Sequence, residues 1–183
     1  MRFEPTSLAG VWQVHSTRQA DPRGSFTRLY CAEAFDEIMP GLCFVQVNHS
    51  ITRRRGTLRG LHLMRTPAQE YKLVRCLRGR VFDVAADLRR GSPTYGRWFA
   101  LELSEDQPIA LLLPPGVAHG FQALSDDAQL LYQHSSAHVA ALDDGVHHAD
   151  PLLGIRWPLP VAMLSPRDAK LPFLEPAAAA CMP

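Results

Sequence analysis

Short runs of alternating apolar and polar residues, cut by turn residues, pattern most of this chain. In CFVQVNHSI (43–51), Phe44, Gln46 and Asn48 fall on one side of an extended backbone and Val45 and Val47 on the other. That period of two is what a half-buried strand requires. GTLRGLHL (56–63), YKLVRCL (71–77), GRVFDVAADL (79–88), GRWFALEL (96–103), IALLL (109–113), AHGFQAL (118–124) and AQLLYQHS (128–135) also read as strands. They are rich in Val, Leu, Phe and Tyr and are bounded by turn signals such as RGSPTYG and SEDQP. One stretch, CAEAFDEI (31–38), reads as helical. The pattern predicts an all-β sandwich or jelly roll with few short helices. With no internal repeat and no linker, residues 1–183 read as one domain, with a loose tail over 172–183 that ends in EPAAAACMP.

Composition narrows the class. A chain of 183 residues is long enough for a sizeable core. Hydrophobic content of 46% with 20% charge excludes a disordered chain. The apolar runs are too short to cross a bilayer, and MRFEPTSLAG lacks the apolar stretch of a signal peptide. The expectation is a cytoplasmic protein with no membrane partner. Cys31, Cys43, Cys76 and Cys181 show no CxxC spacing and read as free thiols. Net charge is +1, but residues 51–80 carry nine Lys and Arg against one acid, Glu70. That asymmetry suits a local anion site better than a nucleic-acid-binding face.

Candidate chemistry begins in LRGLHLMRTPAQEYKLVRC (58–76), where His62 stands between Arg59 and Lys72. Nearby cations disfavour the imidazolium. A neutral histidine acting as a base is one reading; a metal ligand and a packed core residue are the others. Met64 shares the strand face of His62, and a thioether is a poor ligand for hard or borderline ions. Lys72 would also repel a cation, so no metal is expected there. In PPGVAHGF (114–121) a Pro-Gly turn delivers His119 to the start of a strand. This resembles the second motif, PxGxxH, of the cupins. His147 and His148 read as an exposed loop.

LRGLH (58–62), KLVR (72–75), VFDVAADLR (81–89), GSPTYG (91–96), PPGVAHGF (114–121) and LLYQ (130–133) together resemble the dTDP-4-dehydrorhamnose 3,5-epimerase family. So do DPRGSF (21–26), FVQVNHS (44–50), DPLLGIRWPL (150–159) and LSPRD (164–168). The likeness runs in order over about residues 20–168. It implies a cupin-type jelly-roll β-barrel, usually a homodimer that shares strands or arms, with no metal or organic cofactor. The implied substrate is a nucleotide-diphosphate sugar, a 4-keto-6-deoxyhexose whose ketone acidifies C3 and C5. Removing a proton gives an enolate; returning one from the other face inverts the centre.

By this resemblance His62 is the base and Asp168 the acceptor that fixes its tautomer, although alone Asp168 reads as a surface acid. Lys72 is the partner of the developing oxyanion; its other reading is an exposed strand lysine. Tyr132 is the acid, its pKa expected to fall beside cations; a core tyrosine is the alternative. His119 and Asp83 support the site, Asp83 needing a partner in its apolar strand, either His119 or an Arg. Arg59 is the best diphosphate ligand, because its planar fork binds oxygens bidentately. Arg23 and Phe26 are expected to reach the nucleotide from the same or a neighbouring subunit, Phe26 being equally a candidate core residue. Gln46 and Asn48 also resemble family positions near the nucleotide.

Three positions depart from the family pattern: Arg28 and Val47, where acids are usual, and Met64, where Gln is usual. Arg28 can only donate hydrogen bonds, which bears on the nucleotide recognised. Met64 bears on which carbon is inverted. The competing readings are a C3-only epimerase with another carrier, a non-catalytic nucleotide-sugar-binding cupin, and a metal dioxygenase.

Overall fold

In the computed structural model, which describes residues 1–175, the alternating runs become antiparallel strands. They are β1 (Arg2–Pro5), β2 (Trp12–His15), β3 (Arg18–Asp21), β4 (Gly24–Thr27), β5 (Gln46–Thr52), β6 (Leu58–Met64) and β7 (Lys72–Arg78). Then follow β8 (Arg80–Asp87), β9 (Trp98–Ser104), β10 (Ile109–Leu113), β11 (Val117–Ala123), β12 (Ala128–His134) and β13 (Asp143–Gly145). A six-stranded sheet has the order β1-β2-β10-β7-β12-β5; a five-stranded sheet has the order β13-β6-β11-β8-β9; β3 and β4 form a separate hairpin. The non-sequential orders are those of a jelly roll, as the alternating pattern predicts.

The two sheets pack face to face. Val74, Cys76, Leu111 and Leu130 of the larger sheet bury against Val81, Ala85, Leu103 and Phe121 of the smaller. The outer face of the larger sheet is closed by a helix, α1 (Ala32–Asp36), whose Phe35 is fully buried among Leu73, Ala110 and Leu112. Phe35 also meets the rings of Phe3, Tyr30 and Phe44 at 5.0, 5.1 and 5.7 Å. Trp157 and Leu153 help to cover the outer face of the smaller sheet.

Within the inward faces, chemistry changes along the strand. On β12 the series Ala128, Leu130, Tyr132, His134 passes from core to polar wall. On β7 Cys76 and Val74 are core, but Lys72 is not. One end of the sandwich is thus filled by hydrocarbon and the other is left polar and open.

β1–β4 and β13 had no alternation strong enough to signal them: each has three or four residues, and all of β3 is exposed. The tail, expected to be loose from residue 172, is tied down as far as Leu174. The His147 amide donates to the Pro172 carbonyl at 2.8 Å, and the Leu174 amide to Asp150 Oδ2 at 2.6 Å. Phe173 packs on His147 at 4.6 Å, so His147 and His148 are half-buried rather than an exposed loop. Cys31, Cys43 and Cys76 are free thiols; Cys181 and residues 176–183 lie outside the described residues. No helix among the described residues is long and apolar enough to cross a membrane.

Candidate active site

A cavity of about 680 Å³ opens at the polar end, between the two sheets. His62 reaches it from β6, Tyr132 and His134 from β12, and Lys72 from β7. The first belongs to the smaller sheet and the others to the larger, so they face each other across the cavity.

His62 and Arg59 are three residues apart, a spacing that regular alternation would send to opposite faces. A bulge resolves this. His119 pairs with His62 and Phe121 with Arg59, so two steps on β11 face three on β6. The extra residue resets the alternation, and both side chains line the cavity. Gly60 sits at this point because nothing larger fits: a Cβ there would lie 2.6 Å from Gly120 Cα and 2.7 Å from the His119 carbonyl oxygen.

His62 Nε2 lies 2.7 Å from Asp168 Oδ1. A carboxylate only accepts, so Nε2 carries the hydrogen and Nδ1 is left as the basic nitrogen. Asp168 comes from the turn after Ser165, whose hydroxyl accepts its amide at 3.0 Å; its other oxygen accepts the Gly60 amide at 3.2 Å. Burial pushes the Asp168 carboxyl up, but the His62 hydrogen bond and charge and the Gly60 amide outweigh it and hold it below the ordinary range. The acid that read as a surface group is therefore buried and ionised. The group in contact with the imidazole is this carboxylate rather than a cation.

On the facing sheet, Tyr132 meets the ring of His119 edge-on at 5.7 Å. His119 Nε2 is 2.8 Å from Asp83 Oδ1, which answers which partner Asp83 takes. The other Asp83 oxygen is buried with no hydrogen-bond partner among the described residues. Tyr132 corrects an expectation: its pKa is raised, not lowered. Burial dominates, the Asp83 charge adds to it, and Arg59 opposes both only weakly. It is a neutral phenol with a firmly held proton.

Lys72 is largely buried rather than an exposed strand lysine. Its ammonium lies 3.2 Å from Glu70 Oε2 and 3.4 Å from the His62 carbonyl oxygen. Glu70 also accepts from His134 Nδ1 at 2.8 Å. Sequence reasoning missed Glu70 and His134 as site residues; they are 64 positions apart and only the pairing of β12 with β7 joins them. Of the nine cations in 51–80, Arg59 and Lys72 alone line the cavity. Arg65 and Arg80 pair with Asp144 and Glu102, and Arg75 is buried, so most of the basic excess does not serve an anion site here.

Asn48 lines the cavity; Gln46 does not, its Oε1 accepting the His138 amide at 3.1 Å. Arg23, Phe26 and Arg28 stand outside this cavity, on or just after the exposed β3–β4 hairpin. Phe26 is 71% exposed and is not a core residue of this chain, and Arg23 pairs with Asp21 at 2.6 Å. Met64 lines the wall beside His62.

Residues 5–176 match the family described as dTDP-4-dehydrorhamnose 3,5-epimerase. A dTDP-4-dehydrorhamnose 3-epimerase of Streptomyces niveus is 44% identical over 92% of this chain and 81% of its own length. A dTDP-4-dehydrorhamnose 3,5-epimerase of Sinorhizobium fredii is 39% identical over 95% of this chain and 90% of its own. Among solved structures, the dTDP-6-deoxy-D-glucose-3,5-epimerase of Legionella pneumophila, in complex with dTDP-4-keto-L-rhamnose, is 35% identical. It superposes with a TM-score of 0.89, covering 94% of this chain and 92% of that one.

Proposed function

The chain belongs to the dTDP-4-dehydrorhamnose 3,5-epimerase family, and from that premise we propose that it inverts C3 and C5 of a dTDP-linked 4-keto-6-deoxyhexose. The observation that carries this reading is the His62–Asp168 pair facing Tyr132 across one cavity. Proton transfer on both faces of a sugar ring needs a group on each side.

His62 Nδ1 takes the proton beside the ketone, and Asp168 stabilises the imidazolium that results. Lys72 stabilises the enolate oxygen. The enolate carbon is strongly basic, so a neutral Tyr132 phenol suits reprotonation from the far face. Asp83 and His119 hold that phenol's surroundings. Arg59 binds the diphosphate, and Asn48 lines the cavity toward the nucleotide. The protein works as a cytoplasmic homodimer, and Arg23, Phe26 and Arg28 meet the nucleotide in the partner's cavity; their position outside the cavity of their own chain supports this. No metal or organic cofactor takes part, since the enolate is made by proton transfer alone.

The test is proton NMR with dTDP-4-keto-6-deoxyglucose in deuterated water. Deuterium is expected at C3 and C5, and His62→Ala should slow its entry by about 10²–10⁴-fold. Deuterium at C3 alone would favour the C3-only reading, which the Streptomyces niveus relative's activity and Met64 beside His62 support. Exchange at neither carbon would point to another nucleotide carrier, and failure with a panel of carriers would leave a nucleotide-sugar-binding protein.

A further inference from the structure

We propose that His134 is a positioning residue for the epimerisation, holding the Glu70 carboxylate so that the Lys72 ammonium stays available to the substrate's ketone oxygen. This rests on the function proposed above. One buried carboxylate serves two partners: Glu70 Oε1 is 2.8 Å from His134 Nδ1, and Oε2 is 3.2 Å from Lys72 Nζ. His134 and Lys72 are direct cross-strand partners on β12 and β7. The shorter contact belongs to the histidine. Lys72 is ion-paired with the same carboxylate, but Glu70 and the His62 carbonyl take two of the three ammonium hydrogens and leave one for the ketone oxygen.

His134 has no ring nitrogen left for the substrate. Nδ1 donates to Glu70, and Nε2 lies 3.2 Å from Asn48 Nδ2. The two contacts together put a hydrogen on Nδ1, since a carboxylate only accepts, and turn Nε2 to the Asn48 amide. One face is set by Tyr132, whose ring is within 15° of parallel at 6.1 Å. A ring so fully engaged acts through its neighbours. Burial raises Glu70, but the His134 hydrogen bond and the Lys72 charge outweigh it and keep Glu70 ionised. Released from His134, the second Glu70 oxygen is free to turn to Lys72 and take the ammonium hydrogen that the enolate oxygen needs.

The experiment measures kcat and KM for C3 epimerisation in the full chain and in His134→Leu, His134→Asn, Glu70→Gln and the Glu70→Gln/His134→Leu double variant. His134→Leu should lower kcat about tenfold with KM within about twofold, because the Lys72 charge matters most as the oxyanion develops. His134→Asn places an amide N–H where Nδ1 stood and should restore kcat to within about twofold of wild type. In the Glu70→Gln background, with no carboxylate to hold, His134→Leu should have no further effect. Equal losses in His134→Leu and His134→Asn, or losses that add to Glu70→Gln, would mean that His134 only fills space and would overturn the proposal. So would His134→Leu with wild-type kcat. Wild-type protein that exchanges neither C3 nor C5 proton overturns the functional reading instead, which separates the two failures.

Discussion

Tyr132 shows how little a side chain's chemistry is contained in its sequence neighbours. Cations expected beside it in the site suggested an acidic phenol, yet burial and the Asp83 charge make it a weak acid. If it delivers the second proton, Tyr132→Phe removes that delivery while leaving His62 and Asp168 intact. Deuterium should then still enter C3 through His62, while inversion falls about 10²-fold or more. The measurement is the ratio of exchange to inversion by NMR. Exchange and inversion falling together would instead assign Tyr132 to binding. His62 itself was legible from LRGLH, whereas its partner was not: Asp168 is 106 residues away, and only the resemblance joined them before the structure did.

Among the elements, β6 carries Arg59 and His62 and β8 carries the Asp83 that holds His119, and each has a point of weakness. On β6 the bulge at Gly60 lets Arg59 and His62 share the cavity, and there the backbones of β6 and β11 touch. Gly60→Ala forces a Cβ against Gly120 Cα at 2.6 Å, at a φ of +114°. It should cost about 1–3 kcal/mol in denaturant unfolding and also disturb the Gly60 amide bond to Asp168. β8 ends at Asp87, which is fully buried and accepts from Arg89 Nε at 2.8 Å and Thr94 Oγ1 at 2.6 Å. Burial raises its carboxyl, but the bonds from Arg89, Ser92 and Thr94 outweigh it and bring the pKa from 3.8 to about 2. A depressed folded-state value stabilises the protein above the unfolded pKa, and that stability is lost as pH falls through the folded one. The contribution is about 2 kcal/mol. Wild type should lose it between about pH 4 and pH 2, whereas Asp87→Asn should be less stable at neutral pH and lack that acid-dependent loss, as urea unfolding at a series of pH values would show. Alternation and apolar runs predicted β5 to β12 well because these strands have five to eight residues; the four-residue strands β1 to β4 gave too little to read.

For the whole molecule, the separation between the cavity and the β3–β4 hairpin is the main consequence. Arg23 and Phe26 cannot serve the cavity of their own chain as placed. If they complete the cavity of a second copy, each site draws on two chains. Mixing inactive Arg23→Ala and His62→Ala subunits should then restore activity, because hybrid dimers hold one cavity with both residues intact. Random reassortment gives about a quarter of wild-type activity. No recovery would mean that the hairpin does not act across the interface.

The sequence by itself determined the all-β class, most of the strands and the single helical stretch, and it singled out His62 as a candidate base through the family resemblance. These follow from local periodicity and from motifs in which neighbouring residues do related work. Only the tertiary structure decided that the Asp168 carboxylate is buried against His62, which way the Tyr132 proton affinity moves, and that Glu70 ties Lys72 to His134. Those depend on distances between residues far apart in the chain and on how much water the fold excludes, and neither is written in any local pattern of residues.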